Sequence, residues 1–494
     1  MGKITRRTAL FGGGAALGAW GVFKLPNPAP DMTGAGTLSQ KTSPSFLNDA
    51  SGLSHTPVSK HIIVEANTKE RLVSRLRQEM TEARFEGRPM NVGAARHSMG
   101  GHAIPRDGTA ITISSDDIAV DTAQSRMRVS SGVTWAQVIS RVDPLGLSPM
   151  VMQSNNDFGV GATFCVNAHG WPVKKGPMGS TVRSCEIMMP SGDLITCSRD
   201  KNFDLFQMAM GGYGLIGIIT ELEVDLAKNQ MLEPTFEKVS SKDFGNRFVE
   251  ALNEEGVTMA YGRANVDRGN FMKDALVITY RPSADQSNIP AASGSGMMSH
   301  LSSHIYRAQL GNERMKKLRW KMEADLNPML AGASTRNSLI NEPVATLDDR
   351  DPLRTDILHE YFVAPNRFAD FVDVCRQVIP ASYQEFLNVT LRFVDRDPES
   401  LLSYAPVPRI AAVMSFSQEM TSRGEADMTR MTRELIDGVL SIGGSYYLPY
   451  RPHATLEQLL LAYPRAEEFV LKKRQLDPKL IYQNGFWNNY LDKL

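Results

Sequence analysis

The chain has 494 residues, with 54 basic and 54 acidic side chains, a formal net charge of zero and a sequence pI of about 7.1. It therefore lacks the basic surplus of a nucleic-acid binder, and its 42% hydrophobic residues suffice for ordinary buried cores, which excludes disordered and collagen-like chains. No apolar run of about 18 residues interrupts its body, so a multi-span membrane protein is excluded, and Cys165, Cys185, Cys197 and Cys375 are too few and too irregularly spaced for a disulfide framework or a zinc site.

In chain order, the first element is a leader. Lys3, Arg6 and Arg7 precede Thr8-Ala9-Leu10-Phe11, a small-residue apolar run to Phe23, and Pro26, Pro28 and Pro30. Charges, a short weakly hydrophobic stretch and a helix-breaking exit make a targeting segment. The paired arginines resemble a twin-arginine export signal, which implies the export machinery for folded proteins and a periplasmic or exported location. No clean A-x-A site follows, so an uncleaved leader tethering the protein to the inner membrane is the other expectation. Residues 1–30 read as this signal or anchor, and residues 31–53, rich in Pro, Thr, Ser and Gly, as a linker.

From His61 to Asn229 short β-rich runs alternate with amphipathic stretches. Strands are predicted at 61–64, 90–93, 110–113, 127–130, 185–189, 193–197 and 215–224, with helices over Lys69 to Phe85 and near Thr134 to Val142. Many short strands with few helices favour an α+β domain over a doubly wound sheet. A middle region shows strands at 275–280 and 410–416 and helices at 366–378 and 425–440. There, Pro290 to Ser299 reads as a mobile surface loop, and Asn312 to Glu323 as a basic helix whose Lys316, Lys317, Arg319 and Lys321 are expected to form a solvated face. The inferred boundaries are a domain over 54–229, a second over 230–440 and a returning segment over 441–494.

Two glycine-rich loops carry the chemistry. Asn91-Val92-Gly93-Ala94-Ala95-Arg96-His97-Ser98-Met99-Gly100-Gly101-His102 follows a predicted strand, and its small residues let a ligand approach successive amide N–H groups that can hold a pyrophosphate. The second loop, Phe158-Gly159-Val160-Gly161-Ala162-Thr163 to His169-Gly170, lies about sixty residues downstream, and Asn202-Phe203-Asp204-Leu205-Phe206 leading to Gly217-Ile218-Ile219-Thr220 is the third element.

In this order the motifs resemble those of FAD-dependent oxidoreductases of the vanillyl-alcohol oxidase and p-cresol methylhydroxylase (PCMH) type, nearest to the sugar, alditol and aldonolactone oxidase branch. The resemblance implies a PCMH-type FAD-binding domain of two subdomains with an α+β substrate (cap) domain. It implies FAD held by Gly93, Ala94, Ala95, Arg96, His97, Ser98, Gly101, His102, Gly159, Gly161, Ala162, Thr163, His169, Gly170, Gly217, Ile218 and Asn484, with His97 as the residue of a covalent flavin bond. It also implies that 204–220 forms closing strands near the adenine.

The C-terminal Gly443 to Arg451, Tyr463-Pro464-Arg465, Asp477-Pro478 and Asn484 likewise resemble the family's return to the cofactor domain. Asn388-Val389-Thr390-Leu391-Arg392 matches a Glu-x-Arg position, with Thr390 in place of the glutamate. Arg392, Tyr447, Tyr450 and Arg451 are the expected catalytic residues, Arg392 because its guanidinium stays protonated and offers a fixed fork of donors. His359 with Glu360 would supply a base if their strand faces the flavin.

The expected reaction is oxidation of a CH–OH group of a sugar, polyol or lactone-type substrate, with O₂, a quinone or a cytochrome as acceptor and no metal. The competing readings are a non-catalytic exported flavin-binding or scaffold protein, or an FAD-dependent enzyme acting on an aryl alcohol or a C=C bond.

Overall fold

The computed structural model describes residues 46–294, 304–343 and 351–494. The leader, most of the linker and the second half of the Pro290 to Ser299 loop lie outside the described residues.

The described chain starts with a small hairpin, β1 (Phe46–Leu47) and β2 (Thr56–Pro57). A parallel unit follows, made of β3 (Lys60–Glu65), α1 (Lys69–Phe85), β4 (Met90–Val92) and β5 (Thr109–Ser114), with β5 in the centre. Thr68 caps α1 by accepting from the Arg71 amide, and Leu72, Leu76, Met80 and Ala83 recur at helical spacing to bury one face. Their burial is what holds this helix on its three strands.

The next layer is antiparallel: β6 (Ile118–Asp121), β7 (Arg126–Ser130), β8 (Leu147–Pro149), β9 (Val182–Met188), β10 (Leu194–Ser198) and β11 (Ile218–Lys228), in the order β10-β9-β11-β7-β6 with β8 beside β11. Between these strands lie α2 (Trp135–Val142), closed by a Thr134–Gln137 capping box, α3 (Val160–Cys165) and α4 (Phe203–Ala209). The third motif is thus a helix followed by a strand, not a run of closing strands. Phe206, Gln207, Met208 and Ala209 are all buried in the second half of the helix, and Gly211 and Gly214 at positive φ turn the chain into β11.

The second large sheet has eight antiparallel strands: β12 (Met231–Ser240), β13 (Met259–Ala264), β14 (Asp274–Pro282), β15 (Ser334–Thr335), β16 (Arg354–Val363), β17 (Glu385–Val394), β18 (Arg409–Glu419) and β19 (Ser445–Tyr446). Their order is β15-β12-β14-β13-β17-β18-β16-β19. Helices α5 (Phe244–Asn253), α6 (Glu313–Lys321), α7 (Arg336–Leu339), α8 (Phe368–Val378) and α9 (Ser422–Ser441) accompany it. One face packs on α5, α8 and α9: a Cβ at Gly262 of β13 would lie 2.4 Å from the Phe244 ring. The chain ends in α10 (Leu456–Ala462), α11 (Ala466–Leu476) and α12 (Gly485–Asn489). The fold is α+β, with a parallel and an antiparallel subunit side by side and a separate large antiparallel sheet.

The basic helix α6 departs from the solvated face expected of it. Lys316 is 2% exposed and pairs with Glu385 of β17 at 2.9 Å, while Arg319 donates to the Leu387 carbonyl at 2.7 Å and lies over the Tyr306 ring. Two of its four basic residues therefore anchor the helix to the sheet, because β17 supplies a buried carboxylate and a free carbonyl there. The periodicity of α6 alone does not reveal that partner.

Candidate active site

The loop between β4 and β5 supplies a cradle. Gly93 donates to Ile111 O and Met99 to Pro449 O, but the amides of Ala94, Ala95, Arg96, His97 and Ser98 donate to no protein atom among the described residues. Arg96 has φ of 55°, so successive N–H groups turn to one side in the nest geometry that receives anionic oxygens. The Arg96 side chain points away from them, to His61 Nε2 at 3.2 Å and Thr112 Oγ1 at 3.1 Å. His97 Nε2 is buried without a hydrogen-bond partner, 3.6 Å from Asp157 Oδ2, and its ring lies 4.3 Å from that of Phe158.

The second glycine loop packs against the first. A Cβ at Gly159 would come 3.2 Å from Ala94 Cβ, and one at Gly161 would come 2.6 Å from Ser131 Cβ. Along the first loop the side chains of Asn91 and His102, and in the turn from β7 to α2 those of Ser130 and Ser131, also keep buried polar atoms with no partner. Burial drives the His102 pKa down to about 3, with Arg451 adding to the effect. A line of unpartnered donors and acceptors around Cβ-less loops fits a group rich in phosphate oxygens and ring nitrogens, which FAD is.

Other predicted cofactor residues have local partners. Thr163 Oγ1 accepts from Trp135 Nε1 at 2.9 Å, and a Cβ at Gly170 would meet Met152 O at 2.2 Å. Ala162 occupies the α3 turn between Gly161 and Thr163. Gly217 lies against Ile187 and Met188, and Ile218 pairs with Met188 inside the core that joins α1 to β11. Asn484 caps α12, accepting from Phe486 and Trp487 amides and donating to Tyr213 O at 2.8 Å. Burial of the Cys165 thiol pushes its pKa up to about 12, so it stays protonated.

The open face of the large sheet meets these loops. Register aligns Arg263, Thr390, Val413 and Glu360 in one row across β13, β17, β18 and β16, with Arg392, Ala411 and Phe362 in the next row on the same face. Glu360 bonds His169 Nε2 through Oε1 and accepts from the Tyr450 hydroxyl through Oε2 at 3.2 Å. Arg392 donates to Ser154 Oγ, keeps a buried Nε with no partner, and has its pKa lowered by burial while Glu360 opposes the shift. Tyr447 donates to Val166 O at 2.7 Å. Burial pushes the pKa of Tyr447 and Tyr450 well up, so both remain phenols.

Two expected residues lie elsewhere. His359 is on the opposite face of β16, bonded to the Tyr361 hydroxyl at 3.0 Å and to Thr432 of α9, because neighbours along a strand point to opposite sides. Arg451 is held by Glu425 of α9 at 2.5 Å, Ser54 Oγ and Met99 O, where it ties the large sheet's helix to the cradle loop.

Glu360 is the site residue that sequence reasoning left as a conditional, and Ser154, Trp171, Tyr261 and Arg263 are ones it missed. A single carboxylate inside the apolar strand Leu358 to Val363 was the available signal. Nothing local marks the others: Tyr261 and Arg263 arrive on β13 by strand pairing, and Ser154 and Trp171 on loops that pack against the sheet through Arg392 and Tyr261.

An FAD binding domain family matches residues 62–198, the stretch that holds both glycine loops. Cytokinin dehydrogenase 2 of Arabidopsis thaliana is 26% identical over 271 residues, 52% of this chain and 52% of that protein. Cytokinin dehydrogenase 9 of Oryza sativa subsp. japonica is 33% identical over 141 residues, 26% of each chain. The mitochondrial L-galactono-1,4-lactone dehydrogenase of Arabidopsis thaliana is 25% identical over 161 residues, 32% of this chain and 26% of that protein. The chain thus spans about half or less of the length of these relatives. Residues 62–198 are thus a PCMH-type FAD-binding domain, similar to part of each of these dehydrogenases.

Proposed function

We propose that the protein oxidises a CH–OH group of a sugar, polyol or lactone-type substrate, at the face where the large sheet meets the FAD-binding loops. Bound FAD supplies the hydride acceptor. The observation that carries the reading is Arg392: a buried guanidinium with a free Nε, beside a carboxylate that is itself held by His169 and Tyr450. A cation fixed in that position stabilises an alkoxide as it develops, and Glu360 is placed to take the hydroxyl proton while His169 and Tyr450 hold its two oxygens. Tyr447, bonded to Val166 O, sets the wall beside Tyr450.

The nest amides of residues 94–98 would hold the pyrophosphate, and His97, with its unpartnered Nε2, would carry a covalent bond to the flavin. Acid precipitation tests that bond: yellow colour stays with the pellet, and moves to the supernatant in His97→Ala. Electrons pass on to O₂, a quinone or a cytochrome. Export through the twin-arginine route is part of the same proposal, read from Arg6-Arg7 and tested by fusing residues 1–30 to a reporter.

The deciding experiment is anaerobic flavin reduction with a panel of polyols, aldonolactones, aryl alcohols and a cytokinin. Reduction by a polyol or lactone is expected. Arg392→Ala should slow it roughly 10²- to 10³-fold with FAD retained. Reduction by the cytokinin alone, or unchanged kinetics in the variant, would overturn the assignment.

A further inference from the structure

The charges on the open sheet face do not balance. Arg263 and Arg392 lie in adjacent rows of that face, and register places Arg263 directly opposite Thr390, two residues from Arg392 on β17. Arg263 donates through Nη1 alone, to Asn388 Oδ1 at 2.9 Å and Thr390 Oγ1 at 2.5 Å, both neutral. Its guanidinium rests over the Tyr261 ring at 5.5 Å, and the Trp171 ring packs tilted against the same tyrosine at 4.7 Å, so the fork is held in one orientation. Arg392 is 9% exposed, bonds only the neutral Ser154 hydroxyl and leaves Nε free.

Among the described residues neither arginine has a carboxylate partner. Glu360, the acid on the face, is already engaged by His169 and Tyr450, and the neighbouring Arg319 is matched by Glu323 at 2.8 Å. Arg263 acts on Arg392 as a like charge, adding to the burial that lowers its pKa. Glu360 is the one carboxylate acting on Arg392, so two guanidiniums, one buried and one half-buried, share a single negative charge that already has other partners, and their planar forks match the geometry of carboxylate and phosphate oxygens.

We propose that the substrate carries an oxyanion, a carboxylate or a phosphate, which Arg263 and Arg392 grip together on this face while the alcohol lies toward the FAD-binding loops. Arg263 is then the residue that sets specificity for acidic over neutral alcohols. The inference rests on the alcohol-oxidation reading above for the identity of the substrate, but anion binding itself does not require turnover.

The test is calorimetric titration of the purified flavoprotein, in a zwitterionic buffer at constant chloride, with glycolate, inorganic phosphate and neutral ethylene glycol as probes. Saturable binding of glycolate or phosphate and none of ethylene glycol is expected, and whichever anion binds names the group. In Arg263→Gln the anion's affinity should fall at least tenfold with the flavin spectrum unchanged. Equal heats from all three probes, no binding of either anion, or undiminished affinity in Arg263→Gln would overturn the proposal. Anion binding in a protein that no alcohol reduces would leave this inference standing and sink the alcohol-oxidation reading instead.

Discussion

Arg392 and Glu360 reach the same site from strands that follow one another in sequence but are separated by β18 in the sheet, and each is useful because of what surrounds it. Burial, with Arg263 adding as a like charge, lowers the guanidinium's pKa from its ordinary value, yet an arginine so placed stays cationic, so it can serve as a fixed positive charge. Burial moves the buried histidines in the same direction, but from a lower starting value, so they lose their charge. His102 and His359 are both pushed down to about 3, chiefly by desolvation, so each is neutral in the folded protein at pH 6. Because the unfolded chain protonates them near the ordinary 6.5, their neutral forms favour folding above that pH, and stability is lost as pH falls from about 6.5 toward 3. Each contributes a slope of at most about 1.4 kcal/mol per pH unit. Urea midpoints measured across this window should fall with acidification, and more shallowly in His359→Phe whatever that variant's stability at neutral pH. At this scale the sequence marks His97, Arg392 and the tyrosines as candidates, but it cannot separate His359 from Glu360, since adjacent strand residues differ only in which face they take.

Loops and helices act through close approach. Gly161 at the start of α3 lies against Ser131, and its amide donates to Ser131 O at 3.2 Å. Gly161→Ala would place a methyl 2.6 Å from Ser131 Cβ and 2.9 Å from its carbonyl, prising the second glycine loop away from the turn that follows β7. The expected outcome is a loss of about 1–3 kcal/mol from overpacking and a lower ratio of flavin to protein after gel filtration. Unaltered flavin content would show that the loops part without consequence.

A second element-scale case is the end of α11, where Lys473 and Asp477 are fully buried as an ion pair and Asp477 also accepts from the Ile481 and Tyr482 amides at 2.9 Å. Asp477→Asn leaves an uncompensated buried ammonium, which costs about 3–5 kcal/mol. Calorimetry should register that loss, and a thermogram like the wild type would mean the lysine finds another counter-charge. The glycine spacing of the loops is plain in the sequence, and so is the span of α1; the helical nature of 203–209 and the buried face of α6 are not, because both depend on what packs against them.

Across the whole molecule, the large sheet and the FAD-binding domain are fastened at several places besides the site. Arg336 of α7 donates to Ser148 Oγ at 3.2 Å, Pro149 O at 3.2 Å and Met150 O at 2.8 Å, and burial lowers its pKa to about 10. Arg336→Met removes all three bonds and leaves buried acceptors unpaired, at about 1–3 kcal/mol for each group left unsatisfied. Denaturant unfolding should shift to lower midpoints or split into two transitions as the domains uncouple; a superimposable curve would count against this fastening.

Such long-range contacts mark the division between what could be read and what could not. From the sequence alone came the α+β class, most strands and helices and the two glycine loops, because strand alternation, helix periodicity and glycine tolerance are local properties of neighbouring residues; FAD came from the family resemblance those loops carry. The pairing of Glu360 with His169 and Tyr450, the turning of His359 to α9, the burial of Lys316 and the lone charges of Arg263 and Arg392 were decided only in the tertiary structure. Each depends on which strand lies beside which and on what then stands opposite, and a sheet that orders β13, β17, β18 and β16 as neighbours leaves no trace of that order in the spacing of their residues.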